Sequence, residues 1–142
     1  DLNDDTISKQ IDNLSDQKNN LQDQIADLNT KIHYLGQYHV NKKYFSSMLK
    51  SDNKADYRKT HSDKIAQYDE ARNFLKSVYP DSDYPDLNQL KNQRKQILTD
   101  YKSLNSDIHD LYKQNQKLKI VSHNSQELLS HKQVISRENL HL

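Results

Sequence analysis

The chain has 142 residues, 32% of them hydrophobic, with one glycine, two prolines and no cysteine; its mean hydropathy is −1.15. A formal net charge of +1 selects no class of partner. The lack of cysteine excludes disulfides and thiolate metal sites and fits a reducing compartment, and no apolar run is long enough to cross a bilayer.

The length suits one domain. Few apolar residues at regular spacing point to an all-α fold of long helices, each burying a narrow stripe. The opening DLNDDTISKQ has neither a signal-peptide pattern nor a methionine. The expectation is therefore a cytoplasmic segment excised from a longer protein, without membrane insertion.

The first segment, residues 1–36, carries Ile7, Ile11, Leu14, Leu21, Ile25, Leu28, Ile32 and Leu35. Their spacing alternates between four and three, with one gap at Lys18. Ile11, Lys18, Ile25 and Ile32 take heptad position a, and Ile7, Leu14, Leu21, Leu28 and Leu35 take position d. About four heptads in register predict a coiled-coil helix. Lys18 costs stability at its a position but narrows the allowed registers. Gly36 follows the last d residue, where a helix stop is expected.

Residues 37–86 predict a helical cap and a proline linker. Tyr44, Phe45, Met48 and Leu49 form one apolar group; Ile65, Tyr68, Ala71, Phe74, Leu75, Val78 and Tyr79 form another. They read as two helices split near Ser51–Asn53. The stretch YPDSDYPDL, residues 79–87, then holds both prolines. Pro80 cannot donate an amide hydrogen bond and disfavours helical geometry at Tyr79; Pro85 keeps Tyr84 extended. Asp86 is placed to cap the next helix, with Gln89 three residues on to return the capping-box contact.

That helix, residues 87–121, repeats the heptad. Leu87, Arg94, Tyr101, Ile108 and Asn115 fall at a; Leu90, Ile97, Leu104, Leu111 and Leu118 fall at d. Residues 5–36 and 87–119 would each run roughly 50 Å at about 1.5 Å per residue. Matching lengths predict a long antiparallel helical hairpin with a small helical cap. In the tail, residues 122–142, Asn124 and Glu127 can pair as a cap, and Leu128, Leu129 and Ile135 give an apolar edge. A short separate helix is expected there.

Charge is unevenly spread. Residues 1–36 sum to −4, 37–86 to +1 and 87–142 to +4, counting Asp and Glu against Lys and Arg. Two readings stand: attraction between an acidic first third and a basic last third, or drift in surface composition.

Catalytic patterns are missing. The histidines at 33, 39, 61, 109, 123, 131 and 141 include no i, i+4 pair and no H-x-H. With one glycine there is no phosphate-cradling loop, and no serine sits in a nucleophile elbow. A nucleophilic tyrosine needs a nearby base or metal; instead Tyr101 lies at an a position, and Tyr68, Tyr79 and Tyr112 lie on apolar faces. The expectation is no catalytic residue, no metal, no cofactor and no small-molecule substrate.

One stretch points to a partner. Residues 41–64, NKKYFSSMLKSDNKADYRKTHSDK, sum to +4, with Tyr44, Phe45 and Tyr57 interleaved. Lys42, Lys43, Lys54, Arg58, Lys59 and Lys64 are the candidate nucleic-acid contacts, because cations grip phosphates and rings stack on bases. The other reading is a solvated helical face over a small aromatic core. Lys91, Lys95, Lys102, Lys113, Lys117 and Lys119 on the later helix allow the same two readings.

The stretch QYDEARNFLKSVYPDSDYPDLNQLKNQRKQILTDYKSLNSDIHDLYKQNQKL, residues 67–118, resembles the C-terminal helical region of MobA-type mobilization relaxases from Gram-positive plasmids and integrated elements. The likeness rests on a helix like Tyr68–Tyr79, on the linker ending in Pro85-Asp86, and on the pattern LxxLKxxRxxLxxxYxxL. Here that pattern is Leu87, Leu90, Lys91, Arg94 and Ile97/Leu98 to Tyr101 and Leu104. The resemblance implies a parent enzyme that nicks DNA with a tyrosine and a histidine-bound metal in an N-terminal domain whose motifs are absent here. It implies for this chain dimerisation, accessory contact with origin-of-transfer DNA, or docking on transfer-machinery proteins. The alternative function is a structural coiled-coil spacer or oligomerisation element without a DNA role.

Overall fold

A computed structural model describes the backbone of residues 4–140 and side chains through residue 131. Helix α1 runs Asp4–Lys50, α2 Lys54–Thr60, α3 Ser62–Val78 and α4 Leu87–Leu140. No strand occurs among the described residues. The chain divides into two compact units, one of residues 1–20 with 100–142, the other of residues 21–99.

In the second unit, α1 from Leu21, α3 and the start of α4 enclose an apolar core. Leu28, Leu35, Leu75 and Leu90 are buried together, with Ile32, Tyr38, Phe74, Tyr79, Tyr84, Leu87 and Ile97 packed against them. Helix α3 reaches this core because Ile65, Tyr68, Ala71 and Leu75 recur every three or four residues and share one buried face. Rings thicken the core. Tyr38 stacks on Tyr68 at 5.2 Å and meets Tyr84 edge-on at 5.3 Å; Tyr34 stacks on Phe74 at 4.3 Å.

The proline stretch makes the reversal that returns the chain to this core. Tyr79 N–H bonds to Leu75 O at 2.7 Å and ends α3, and Ser82 N–H bonds to Tyr79 O at 3.0 Å. Ser82 takes a left-handed φ of 60°. Asp86 caps α4, its Oδ1 accepting from Asn88 N–H at 2.9 Å, which satisfies one of the otherwise orphaned amides of the first turn. Tyr79 and Tyr84, each beside a proline, turn back toward one another with ring centroids 6.1 Å apart.

In the first unit the core is a thin seam. Ile7, Ile11 and Ile108 are buried, with Leu14, Leu111 and Leu118 against them. Lys18 lies over the ring of Tyr101, its Nζ 5.5 Å from the centroid. A cation on a ring face is a favourable way to accommodate a lysine on an apolar stripe. Asn115 is only 9% exposed, and its Oδ1 accepts no hydrogen bond from protein.

Four expectations of the sequence require correction. The stop at Gly36 does not occur: α1 continues to Lys50. Beyond Ile32 the stripe continues through Leu35, Tyr38, Asn41, Phe45 and Met48, all buried or half-buried. Burial along that line outweighs the cost of about 1 kcal/mol for a mid-helix glycine. The cap therefore begins inside α1, and the break at Ser51–Asn53 is followed by a second one at His61, between α2 and α3. Finally, residues 122–140 are not a separate helix. They continue α4, because no glycine or proline follows Pro85 to stop it. Asn124 and Glu127 therefore lie mid-helix, and Glu127 pairs with His123 at 3.0 Å. The apolar edge proposed at Ile135, and His141, fall outside the described side chains. Tyr112 and Leu49, read as apolar-face residues, are exposed.

Candidate nucleic-acid interface

The candidate cations belong to the second unit. Lys42 and Lys43 lie on the last turns of α1, Lys54, Arg58 and Lys59 on α2, and Lys64 on α3, and all are exposed. Local sequence explains why they share three short stretches. Ser51 ends α1 through its N–H to Met48 O, and Asn53 Oδ1 caps α2 by accepting from Asp56 N–H at 3.1 Å. His61 N–H bonds to Tyr57 O at 3.0 Å while its carbonyl accepts from Ile65 N–H at 3.1 Å. A single residue thus joins α2 to α3.

The cations are not equivalent. Arg58 Nη1 donates to Asp69 Oδ2 at 3.1 Å, so part of its charge is spent within the protein. Lys42 Nζ lies 5.7 Å from the Tyr38 centroid and Lys43 Nζ 5.2 Å from that of Tyr44.

The three interleaved aromatics separate into two groups. Phe45 faces the core side, stacked on Tyr68 at 4.7 Å with the Arg72 guanidinium 5.8 Å from its centroid. Tyr44 and Tyr57 instead flank His61, with centroids 5.5 and 4.3 Å away. His61 was not legible as part of this group from composition; its i, i+4 spacing from Tyr57 was the available signal.

Deeper in the unit, Asn41 is fully buried. Its Nδ2 donates to Gln37 Oε1 and Gln67 Oε1, each at 3.1 Å, tying α1 to α3. Burial, and secondarily the neighbouring Tyr38, push the Tyr68 hydroxyl up to about 12. A hydrogen bond to Glu70, 3.2 Å away, raises Tyr34 above its ordinary value.

The residues predicted as coiled-coil interface are placed as follows. Ile11, Leu28, Leu35, Leu90 and Ile108 are buried; Leu14, Leu21, Ile25, Ile32, Ile97, Tyr101, Leu104, Leu111 and Leu118 are half-buried. Arg94, at an a position, donates to Asn29 Oδ1 at 2.9 Å. Lys91, Lys95, Lys102, Lys113, Lys117 and Lys119 are exposed.

Among the described residues, no group of three or more His, Cys, Asp or Glu is placed to hold a metal ion. No helix among them is long and apolar enough to cross a membrane. Compared with protein-family models, curated proteins and solved structures, the chain matches none of them.

Proposed function

We propose that this chain is a non-catalytic helical module of a mobilization relaxase that gives its parent enzyme accessory contact with origin-of-transfer DNA. One observation carries the DNA part of this reading: Lys42, Lys43, Lys54, Lys59 and Lys64 are all exposed, on the end of α1 and on α2 and α3. Exposed cations carried on consecutive elements bind phosphates with release of counterions. The relaxase part rests on the likeness of residues 67–118, whose Pro85-Asp86 linker forms the turn and cap ahead of α4.

The scaffold in this reading is an antiparallel pairing of α1 with α4. In the first unit Ile7 lines a small cleft with Leu118 and Val121, while Lys18 meets Tyr101. In the second, Asn29 meets Arg94. In the first unit the two meetings, Ile7 with Leu118 and Lys18 with Tyr101, run in opposite chain directions, which supports the antiparallel reading there. The apolar residues left exposed late in α4, Ile120, Val121, Leu128 and Leu129, support dimerisation or docking to transfer machinery as a further role.

Fluorescence anisotropy of labelled single-stranded or origin DNA tests the reading. Binding at low salt that weakens when Lys54, Arg58 and Lys59 become Ala supports it. Unchanged DNA mobility at low salt contradicts it and favours the structural spacer, for which the heptad stripes are the supporting observation. Light scattering at high micromolar concentration tests the dimer, which a monomer mass contradicts.

A further inference from the structure

The aromatic rings of the second unit divide by what they touch. Tyr38, Phe74, Tyr79 and Tyr84 pack on the buried leucines, and Phe45 stacks on Tyr68. Tyr44, His61 and Tyr57 form a separate row with His61 in the middle. All three are half-buried. Tyr44 and Tyr57 thus meet the residue that joins α2 to α3 rather than the buried leucines.

We propose that this row is a stacking platform for an unpaired base, met by Tyr57, so that the nucleic acid taken at this surface is single-stranded. The inference rests on the DNA-contact reading and adds to it the form of the ligand and the ring that meets it. The backbone around the row is fixed by hydrogen bonds: Tyr57 N–H to Asn53 O, His61 N–H to Tyr57 O, and Ile65 N–H to His61 O. A platform held this way loses little freedom on binding. Lys43 lies by the Tyr44 end of the row. Lys54 and Lys59 share α2 with Tyr57, and Lys64 follows His61 by three residues, so cations for the flanking phosphates stand on the same elements as the rings. In duplex DNA the base faces are covered by their neighbours. Only an unpaired strand offers a face to a ring, and any base serves, because every base has one.

The test compares the full chain's affinity, by anisotropy at one low salt concentration, for oligo-dT, for an oligonucleotide of the same length with abasic sites replacing its central bases, and for a duplex. Unmodified protein is expected to bind oligo-dT about tenfold more tightly than the abasic strand, within the range of one base–aromatic stack. Tyr57→Leu is expected to lose about the same factor on oligo-dT and nothing on duplex, while Tyr57→Phe keeps the affinity. Equal binding of abasic strand and oligo-dT by unmodified protein overturns the platform, and that arm does not depend on any variant folding. So does an equal loss on both DNAs from Tyr57→Leu. If Lys54→Ala with Lys59→Ala still abolishes binding in either case, the cationic contact survives and only the platform falls. Failure of unmodified protein to bind any of the three overturns both.

Discussion

The two units solve the same problem differently. Around Ile7, Ile11 and Ile108 the core is a single line of aliphatic side chains, with Lys18 and Tyr101 meeting on that line and the poorly satisfied Asn115 also on it. Around Leu28, Leu35, Leu75 and Leu90 a third helix joins, and stacked tyrosines and phenylalanines fill the added width. Stripe periodicity alone builds the first kind of core. The second needs α3, and α3 needs the proline stretch to bring the chain back. The candidate interface lies in the unit that has this third helix, where a short α2 can be held out on a rigid support.

The largest effect should come from truncating the thick core. Leu75 is fully buried, and Leu75→Ala should cost about 3–5 kcal/mol in denaturant unfolding. Ile108→Ala, in the thin seam, should cost about 2 kcal/mol, because a half-solvated stripe collapses around the loss more easily. Hydrogen exchange should localise that loss to residues 4–20 and 100–121. Exchange rising equally in both units would show that they do not unfold separately.

A polar residue in the seam should give a gain. Asn115→Leu removes a buried amide whose Oδ1 is unpaired, and the midpoint of unfolding should rise by the equivalent of about 1 kcal/mol. A loss would mean that Asn115 finds a partner in solution, a second copy of the chain included. Smaller still is Gly36→Ala. A Cβ built at Gly36 meets nothing within 4 Å, so thermal unfolding should show a stabilisation of about 0.5–1 kcal/mol from helix propensity alone.

Alkaline titration separates the tyrosines of the two environments without mutation. Burial raises Tyr68 to about 12, above an ordinary tyrosine near 10 in the unfolded chain. Its contribution to stability is therefore full below about pH 10 and is lost as pH climbs through about 12. Ultraviolet difference spectra should show a late-ionising fraction that shrinks in Tyr68→Phe.

What was legible in the sequence follows from these two kinds of core. The heptad positions from Leu87 to Leu118 match the residues that α4 withdraws from solvent, because a two-helix seam depends on spacing within one helix. The linker was legible because proline and an aspartate cap act locally. Gly36 misled, because whether a glycine ends a helix depends on what later turns bury, and Tyr38, Asn41 and Phe45 find α3 to bury against. The grouping of Tyr44 with His61 was hidden for the same reason: it needs the end of α1 and the joint after α2 to meet in space. The Arg58–Asp69 pair, 11 residues apart across a helix break, gave no periodic signal at all.

The most direct test of the account is the salt dependence of single-stranded DNA binding. With three or four phosphates neutralised at the ends of α1, α2 and α3, affinity should fall between tenfold and a hundredfold, as an order of magnitude, from about 50 to about 200 mM salt. The fall should be shallower when Lys54 and Lys59 are replaced by alanine. An affinity that is flat in salt, or no binding at the lowest salt, would contradict the account and leave the helices as a spacer.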